Sequence, residues 1–289
     1  MSTVILDGKL LAEKKKVLLK QDVDNFQTTY HKSITLAVIL VGNDPASSIY
    51  VNHKQKACQA VGISSKFISL DSHISQAELL SVIDSLNHDP TIHGILVQLP
   101  LPSHISKDKI IQSISVNKDV DGFHPYNTGL LAQGLKCLRP CTPKGVMELL
   151  SAYDLLVKSK NAVIVGASNI VGRPMAWELL KEYATPTICH RKTKNLKRHI
   201  EQADIVISAT GNREAVNSDW LQPGQIVIDV GIHRLPSGKL CGDIDFEKAV
   251  SKGVAAITPV PGGVGPMTVV CLLENTIQAA LEMNAGVQL

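Results

Sequence analysis

Val163-Ile164-Val165-Gly166-Ala167-Ser168-Asn169-Ile170-Val171-Gly172-Arg173-Pro174 decides how this chain is read. A short β-branched run enters a turn of small residues, and the turn enters a helix start that carries a proline. A Rossmann-type βαβ unit presents backbone amides to a pyrophosphate at such a place. The spacing is GxSxxxG rather than GxGxxG, so the motif alone also fits a plain strand-to-helix turn. Its context favours the first reading. A βα alternation restarts at Lys160, with strands expected at 162–165, 187–190, 205–208, 226–230 and 255–257, and this half reads as doubly wound. Ser208-Ala209-Thr210-Gly211 closes one of those strands with small residues, where a ligand would cross the sheet edge.

Working outward, the N-terminal half alternates in the same way. Strands are expected at 34–41, 66–70 and 92–98, and helices at 8–30, 47–61 and 75–88, giving a mainly parallel sheet. The stretch 99–145 is rich in Pro, Gly and Asp, and Thr142-Pro143-Lys144-Gly145 offers an N-cap followed by a proline suited to the first helical position. The expected fold is therefore α/β with two domains: residues 1–145 form an αβ domain, residues 146–268 form a Rossmann-like nucleotide-binding domain, and a cleft lies between them. A helix expected over 269–289 is long enough to leave the second domain and pack back on the first.

Composition limits the function classes. The chain has 289 residues, 44% hydrophobic and 19% charged, with 29 basic against 26 acidic residues and a net charge of +3. That balance gives no reason to expect nucleic acid or an anionic membrane as partner. No apolar stretch is expected to reach the ~20 residues that cross a bilayer, and no secretory signal precedes Asp7 and Lys9. Six scattered cysteines without a CxxC pair read as reduced thiols, which places the protein in the cytoplasm. Cys137 and Cys141 lack a second ligand pair at zinc-site spacing, so no metal is expected.

Several segments carry chemistry. Tyr50 and Lys54 lie four apart and share one face if helical. A lysine partly withdrawn from water beside a tyrosine can give or take a proton, although such a pair also occurs as plain surface decoration. The YxxxK spacing resembles that of short-chain dehydrogenases, but there the pair follows the nucleotide-binding glycines, whereas here it precedes them. Val97-Gln98-Leu99-Pro100 puts a polar amide at the carboxyl end of an apolar strand, where open α/β sheets bind ligands. Lys118-Asp119-Val120-Asp121-Gly122 offers two carboxylates, either of which could grip amidine-like ring nitrogens while the other caps a turn. At the end of the strand after Gly166, the chain has Cys189-His190-Arg191-Lys192 where an NAD site usually carries an acid. Positive charge there favours the 2′-phosphate of NADP over NAD, with a solvated basic loop as the alternative. Thr258-Pro259-Val260-Pro261-Gly262-Gly263-Val264-Gly265-Pro266-Met267-Thr268 is dense in proline and glycine, which fixes a loop and lets bare backbone approach a flat ligand.

Together, Tyr50 to Lys54, VQLPLP at 97–102, KDVDG at 118–122, PCTPKG at 140–145, GxSxxVGxP at 166–174, VIDVGI at 227–232 and TPVPGGVGPMT at 258–268 resemble the bifunctional methylenetetrahydrofolate dehydrogenase/methenyltetrahydrofolate cyclohydrolases of the FolD type. The resemblance covers essentially the whole chain. It implies NADP-dependent oxidation of 5,10-methylenetetrahydrofolate, then hydrolysis to 10-formyltetrahydrofolate, in one-carbon metabolism. It also implies tetrahydrofolate one-carbon derivatives as ligands and a homodimer formed through the Rossmann-like domain. By the same resemblance Lys54 is catalytic, Tyr50 packs on the substrate rings, Gln98 orients the lysine, and Asp121 holds the pterin's amino edge. Val97, Leu99 and Pro261, Gly262 and Gly263 line the folate pocket, while Gly166, Ala167, Ser168, Arg191 and Ile232 contact the cofactor. One departure stands out: the family commonly has arginine where this chain has Ala167, which leaves Arg191 to hold a 2′-phosphate and opens the door to NAD. A dehydrogenase without the second activity, or a non-catalytic NADP- or folate-binding regulator on the same fold, are the competing readings.

Overall fold

A computed structural model describes residues 2–213 and 215–285. The chain divides into two units that are not continuous in sequence: Lys14–Cys141 with Val269–Leu289 form one, and Met1–Glu13 with Thr142–Thr268 form the other.

The first unit is built on a three-stranded parallel sheet with Thr35–Val41 in the centre, Ser64–Leu70 on one side and Gly94–Val97 on the other. Leu36 to Val41 are all buried, as expected of a parallel strand covered on both faces, whereas Ser64–Leu70 has mostly exposed or half-buried residues and lies at the edge. Leu79, Ile83 and Leu86 of helix Gln76–His88 pack with Ile39, Ile95 and Ile110 in its core. The start of this helix is a capping box: Ser75 and Glu78 satisfy each other's backbone amides. Its other end is closed by Lys118, only 5% exposed, whose Nζ donates to the carbonyls of Leu86 at 3.0 Å, Asn87 at 2.8 Å and Asp89 at 2.7 Å. A buried ammonium meeting three helix-end carbonyls is a structural plug, and burial pulls its pKa down. Lys118→Met should therefore destabilise the protein by about 2 kcal/mol or more, because it takes their shared charged donor away from all three carbonyls, of which Asp89 O keeps Ile92 N at 3.2 Å. Urea unfolding of the variant beside the parent checks this.

The second unit holds a six-stranded, all-parallel sheet. Its spatial order is Val4–Ile5, Ala256–Ile257, Ile226–Asp229, Ile205–Ser208, Asn161–Val165, Thr185–Cys189. The chain runs from Asn161–Val165 out to one edge and then returns to build the other side. This makes the gap between Asn161–Val165 and Ile205–Ser208 the topological switch point. Val163, Val165, Val206, Val227 and Ile257 form the core below it with Leu221, Ile244 and Val254. A small antiparallel hairpin, His233–Arg234 with Leu240–Cys241, follows the strand Ile226–Asp229.

Three boundaries differ from those expected. Residues 1–13 belong to the second unit, because Val4 and Ile5 pair in parallel with Ala256 and Ile257. The division after Cys141 falls four residues before the expected 145, and Val269–Leu289 groups with the first unit. Within that unit Asn275 Nδ2 donates to the carbonyls of Val120 and Arg139, both at 2.8 Å. The last helix begins at Val264 rather than 269, with Pro266 in its first turn, where a missing N–H costs nothing. At 21 residues, Val264–Asn284 also exceeds the expected limit on apolar length and could cross a bilayer by length and composition. Most of it is buried inside the protein: Val270, Leu272, Leu273 and Ala280 are at most 1% exposed.

Candidate active site

The helix Pro45–Val61 is fixed at both ends. Asp44 Oδ2 accepts from Ser47 N at 2.7 Å, Pro45 occupies the first turn, and Gly62 closes the other end in the left-handed region. Its buried stripe runs through Val51, Cys58 and Val61, and Lys54 falls on the same stripe between Val51 and Cys58. Lys54 is therefore half-buried, while Tyr50, one turn earlier, is 38% exposed. The Cys58 thiol, one turn later, is pushed up to about 12 by burial and stays protonated; the charge of Lys54 opposes that shift only in part.

Gln98 comes to Lys54 from the sheet. Its backbone N–H donates to Ile39 O at 2.8 Å, continuing the ladder past Val97, and its side-chain Oε1 accepts from Lys54 Nζ at 3.0 Å. The other half of the amide, Nε2, donates to Leu99 O at 2.7 Å, next to the cis Leu99–Pro100 peptide. Both ends of the Gln98 side chain are thus engaged, and this fixes which atom faces the ammonium. Val97 is in the core, so only its backbone is left for a ligand, and Leu99 is half-buried.

The structure separates the two acids that their shared motif, read without the resemblance, leaves equivalent. Asp119, 1% exposed, accepts from Phe123 N at 3.2 Å, His124 N at 2.8 Å and Asn127 Nδ2 at 2.9 Å, so it is the turn cap. Burial drives its carboxyl up to about 7, although those donors pull the other way. Asp121 is the acid near Lys54. Burial raises its carboxyl, and the Lys54 charge draws it back towards the ionised form. Its backbone is pinned by Cys141 N, which donates to Asp121 O at 3.3 Å. Gly122, φ +72°, follows; a Cβ there would stand 2.5 Å from Pro140 N, so this bend admits only glycine. Lys54, Gln98 and Asp121 are therefore brought together in the first unit, as a proton-capable cation held by an amide beside a carboxylate.

In the second unit Gly166 ends strand Asn161–Val165 at the switch point, with φ +125°. A Cβ on it would lie 2.7 Å from the carbonyl carbon of Ala209 and closer still to its oxygen, and Gly172 is equally tight against Gly166. Ser168 Oγ accepts from Val171 N at 3.1 Å and from Gly172 N at 3.4 Å, which holds the turn at the mouth of helix Gly172–Lys181. The His190 to Thr193 segment is a tight turn closed by Thr193 N to His190 O at 2.8 Å and His190 N to Thr193 Oγ1 at 2.8 Å, with Arg191 and Lys192 exposed at its tip. Bare backbone at a switch point, beside a helix start and an exposed cationic turn, fits a dinucleotide phosphate. Ala167 is half-buried in the turn, and Ile232 is 46% exposed just past strand Ile226–Asp229. Pro261 to Gly263 also lie in this unit. Val260–Pro261 is cis, Gly262 O accepts from Lys9 N at 2.8 Å, and Gly263 N donates to Pro259 O at 2.8 Å, so the loop is anchored on residues that precede the helix of Tyr50 and Lys54 by a long stretch of chain.

Residues 6–121 match the catalytic domain, and residues 140–284 the NAD(P)-binding domain, of tetrahydrofolate dehydrogenase/cyclohydrolase. The chain belongs to the tetrahydrofolate dehydrogenase/cyclohydrolase family. It is 53% identical over 284 residues to the bifunctional protein FolD of Legionella pneumophila (strain Corby), covering 98% of this chain and 100% of the relative. Among solved structures it is similar to the bifunctional FolD methylenetetrahydrofolate dehydrogenase/cyclohydrolase of Campylobacter jejuni, at 53% identity and a TM-score of 0.94 over 97% of this chain and 99% of that one. It is also similar to the Trypanosoma brucei enzyme of the same family, solved with NADP cofactor and inhibitor, at 35% identity and a TM-score of 0.93 over 100% of both chains. Lys54, Gln98 and Asp121 lie in the part matched to the catalytic domain of that family, and Gly166, Ser168, Arg191 and Ile232 in the part matched to its NAD(P)-binding domain.

Sequence reasoning missed a second set of residues at the carboxyl edge of the large sheet. Asp229, Asp243 and His233 are joined to Ser208 and Thr210 by hydrogen bonds, and no short spacing announces them. The one available signal was Asp229 itself, an acid ending an otherwise apolar strand, Ile226-Val227-Ile228.

Proposed function

We infer that this chain oxidises 5,10-methylenetetrahydrofolate with NADP and hydrolyses the methenyl product to 10-formyltetrahydrofolate. The observation that carries the reading is the Lys54 Nζ to Gln98 Oε1 contact beside Asp121, in the stretch 6–121 that matches the family's catalytic domain. NADP, when bound, supplies the hydride acceptor of the first step. Loss of hydride leaves an amidinium-like cation on the substrate and demands no proton transfer, so in this step the protein chiefly aligns and orients. Hydrolysis is different. Water adds to the methenyl carbon and gives up both its protons: one is released with the positive charge of the substrate, and one reaches N5 as the bond from that carbon to N5 breaks and the formyl C=O forms. Lys54 is the group placed to move that proton, Gln98 fixes its position, and Asp121 offers a carboxylate to the amino edge of the pterin. Tyr50 gives an exposed ring on the same helix face for stacking.

The reading is tested with purified protein and 5,10-methylenetetrahydrofolate, run with NADP and with NAD while reduced cofactor, methenyl and formyl products are followed separately. Formyl product with NADP is expected. Accumulation of the methenyl compound would remove the cyclohydrolase half, and absence of any turnover would leave only a binding protein. The exposed Arg191 at the turn tip supports a 2′-phosphate partner in spite of Ala167. Arg191→Ala should accordingly raise KM for NADP roughly tenfold while leaving KM for NAD unchanged, since only NADP carries the phosphate. Equal effects on both would assign Arg191 to the solvated surface instead.

A homodimer through the second unit is part of the same proposal. Thr185–Cys189 is an edge strand, and Leu180, Tyr183 and Ile188 beside it are 50%, 75% and 37% exposed. Light scattering on the purified protein should give twice the chain mass, and Tyr183→Glu should lower it. A cytoplasmic location is proposed on the six cysteines, none of them disulfide-bonded.

A further inference from the structure

The carboxyl edge of the six-stranded sheet holds two buried acids that none of the roles above uses. Asp229 and Asp243 are 3% and 1% exposed. Two carboxyls withdrawn from water need donors, and here the donors come from separate connections. Asp229 Oδ1 accepts from Gly231 N at 2.9 Å and Asp243 N at 3.0 Å, and its Oδ2 accepts from Ile244 N at 2.8 Å. Asp243 Oδ2 accepts from Ser208 Oγ at 2.9 Å, Thr210 N at 3.0 Å and Thr210 Oγ1 at 2.8 Å, while its Oδ1 accepts from His233 Nε2 at 2.7 Å.

Burial by itself would raise both carboxyls. At Asp243 the donors from His233, Thr210 and Ser208 outweigh it and hold the group below its ordinary value, so the group is ionised and His233 is the donor. At Asp229 burial wins, and the carboxyl stands at about 6. The result is a staple through three stretches of chain: the turn after strand Ile205–Ser208, the turn after strand Ile226–Asp229, and residues 242–244. Two of those turns leave the carboxyl ends of adjacent parallel strands, the side on which such sheets bind nucleotides. Ile232 sits between the two anchored residues. Gly231 is tied to Asp229, His233 is tied to Asp243, and the Ile232 side chain is exposed.

We propose that His233 and Asp243 are positioning residues for the NADP site: their hydrogen bond sets the backbone at Ile232 together with the Ser208–Thr210 turn, both of which would face the bound nucleotide. This rests on the reading that the second unit binds NADP. His233 is the end of the staple that can be cut with least harm to the core, because its side chain is 19% exposed while that of Asp243 is fully enclosed.

The test is isothermal titration of NADP into the full-length protein and into His233→Ala and His233→Gln, with cyclohydrolase turnover of 5,10-methenyltetrahydrofolate assayed in parallel without nucleotide. His233→Ala should weaken NADP binding roughly tenfold, the loss of one hydrogen bond to a charged acceptor. His233→Gln, which keeps a donor, should recover part of the affinity. Cyclohydrolase turnover should be unchanged, because Lys54, Gln98 and Asp121 belong to the other unit. Unchanged NADP affinity in His233→Ala would overturn the proposal, and so would a matching loss of cyclohydrolase turnover, which marks general destabilisation. A parent protein without turnover would overturn the functional reading instead, while the titration would still decide the role of His233.

Discussion

Lys54→Met is expected to lower hydrolysis of 5,10-methenyltetrahydrofolate by about a hundredfold or more while leaving a measurable part of the dehydrogenase activity. The asymmetry follows from what each step asks of the protein. Hydride departure needs alignment, whereas hydrolysis needs a proton moved, and the Lys54 Nζ held at 3.0 Å by Gln98 is the group to which the proposed function gives that task. Methionine keeps the apolar stem on the buried stripe of the helix, so the fold should survive. A second consequence has a definite sign. The Lys54 charge draws the Asp121 carboxyl down against burial, so removing it lets the carboxyl rise. If ionised Asp121 holds the substrate, the residual dehydrogenase activity of Lys54→Met should fall away on acidification at a higher pH than in the parent. Steady-state assays of the two steps across pH check both statements. Equal loss of the two activities in a protein with parental melting behaviour would sink the assignment.

Gly166→Ala should carry a large structural penalty at the nucleotide turn. The residue has φ +125°, and its added methyl would collide with the Ala209 carbonyl across the switch point. Strain of this kind costs about 1–3 kcal/mol before the neighbouring strand shifts, and more if it cannot. The expected readouts are a lower melting temperature and a large rise in KM for NADP, with nucleotide-free cyclohydrolase turnover retained below the transition. Gly129→Ala is the matching control, because that glycine lies in helix Pro125–Ala132 with open space around its Cβ direction. A Gly166→Ala protein that melts with the parent and binds NADP as tightly would show that the turn yields.

The elements that sequence could reveal are those whose pattern is local. Helix Gly8–Tyr30 and strand Ile205–Ser208 match their expected bounds, and Lys54 is found four residues from Tyr50 on one helix as the spacing required. Gln98 was recognisable because an amide directly after an apolar strand must lie at the sheet edge. What stayed hidden depends on partners far apart in the chain. Val4–Ile5 is two exposed residues, with nothing in them to say that Ala256 is their neighbour. The Lys118 plug is invisible because its acceptors are backbone carbonyls, which every residue type supplies. The two acids of KDVDG differ only through contacts that their shared motif does not encode, with Asn127 for one and Lys54 for the other. The start of the final helix was set too late because a run of prolines and glycines reads as a breaker, although a proline in the first turn is harmless.

The interleaving of the two units sets the order in which the chain can finish folding during synthesis. Val4–Ile5 leaves the ribosome long before its partner strand Ala256–Ile257 has been made, so that edge of the large sheet closes late. The unit that holds Lys54 waits even longer, since Asn275 and the helix around it complete that unit by gripping Val120 and Arg139. Neither half can be obtained whole by cutting the chain once at residue 141. A fragment that ends there would lack the donor holding the segment next to Asp121, so the catalytic constellation is completed only after residue 275 has been made.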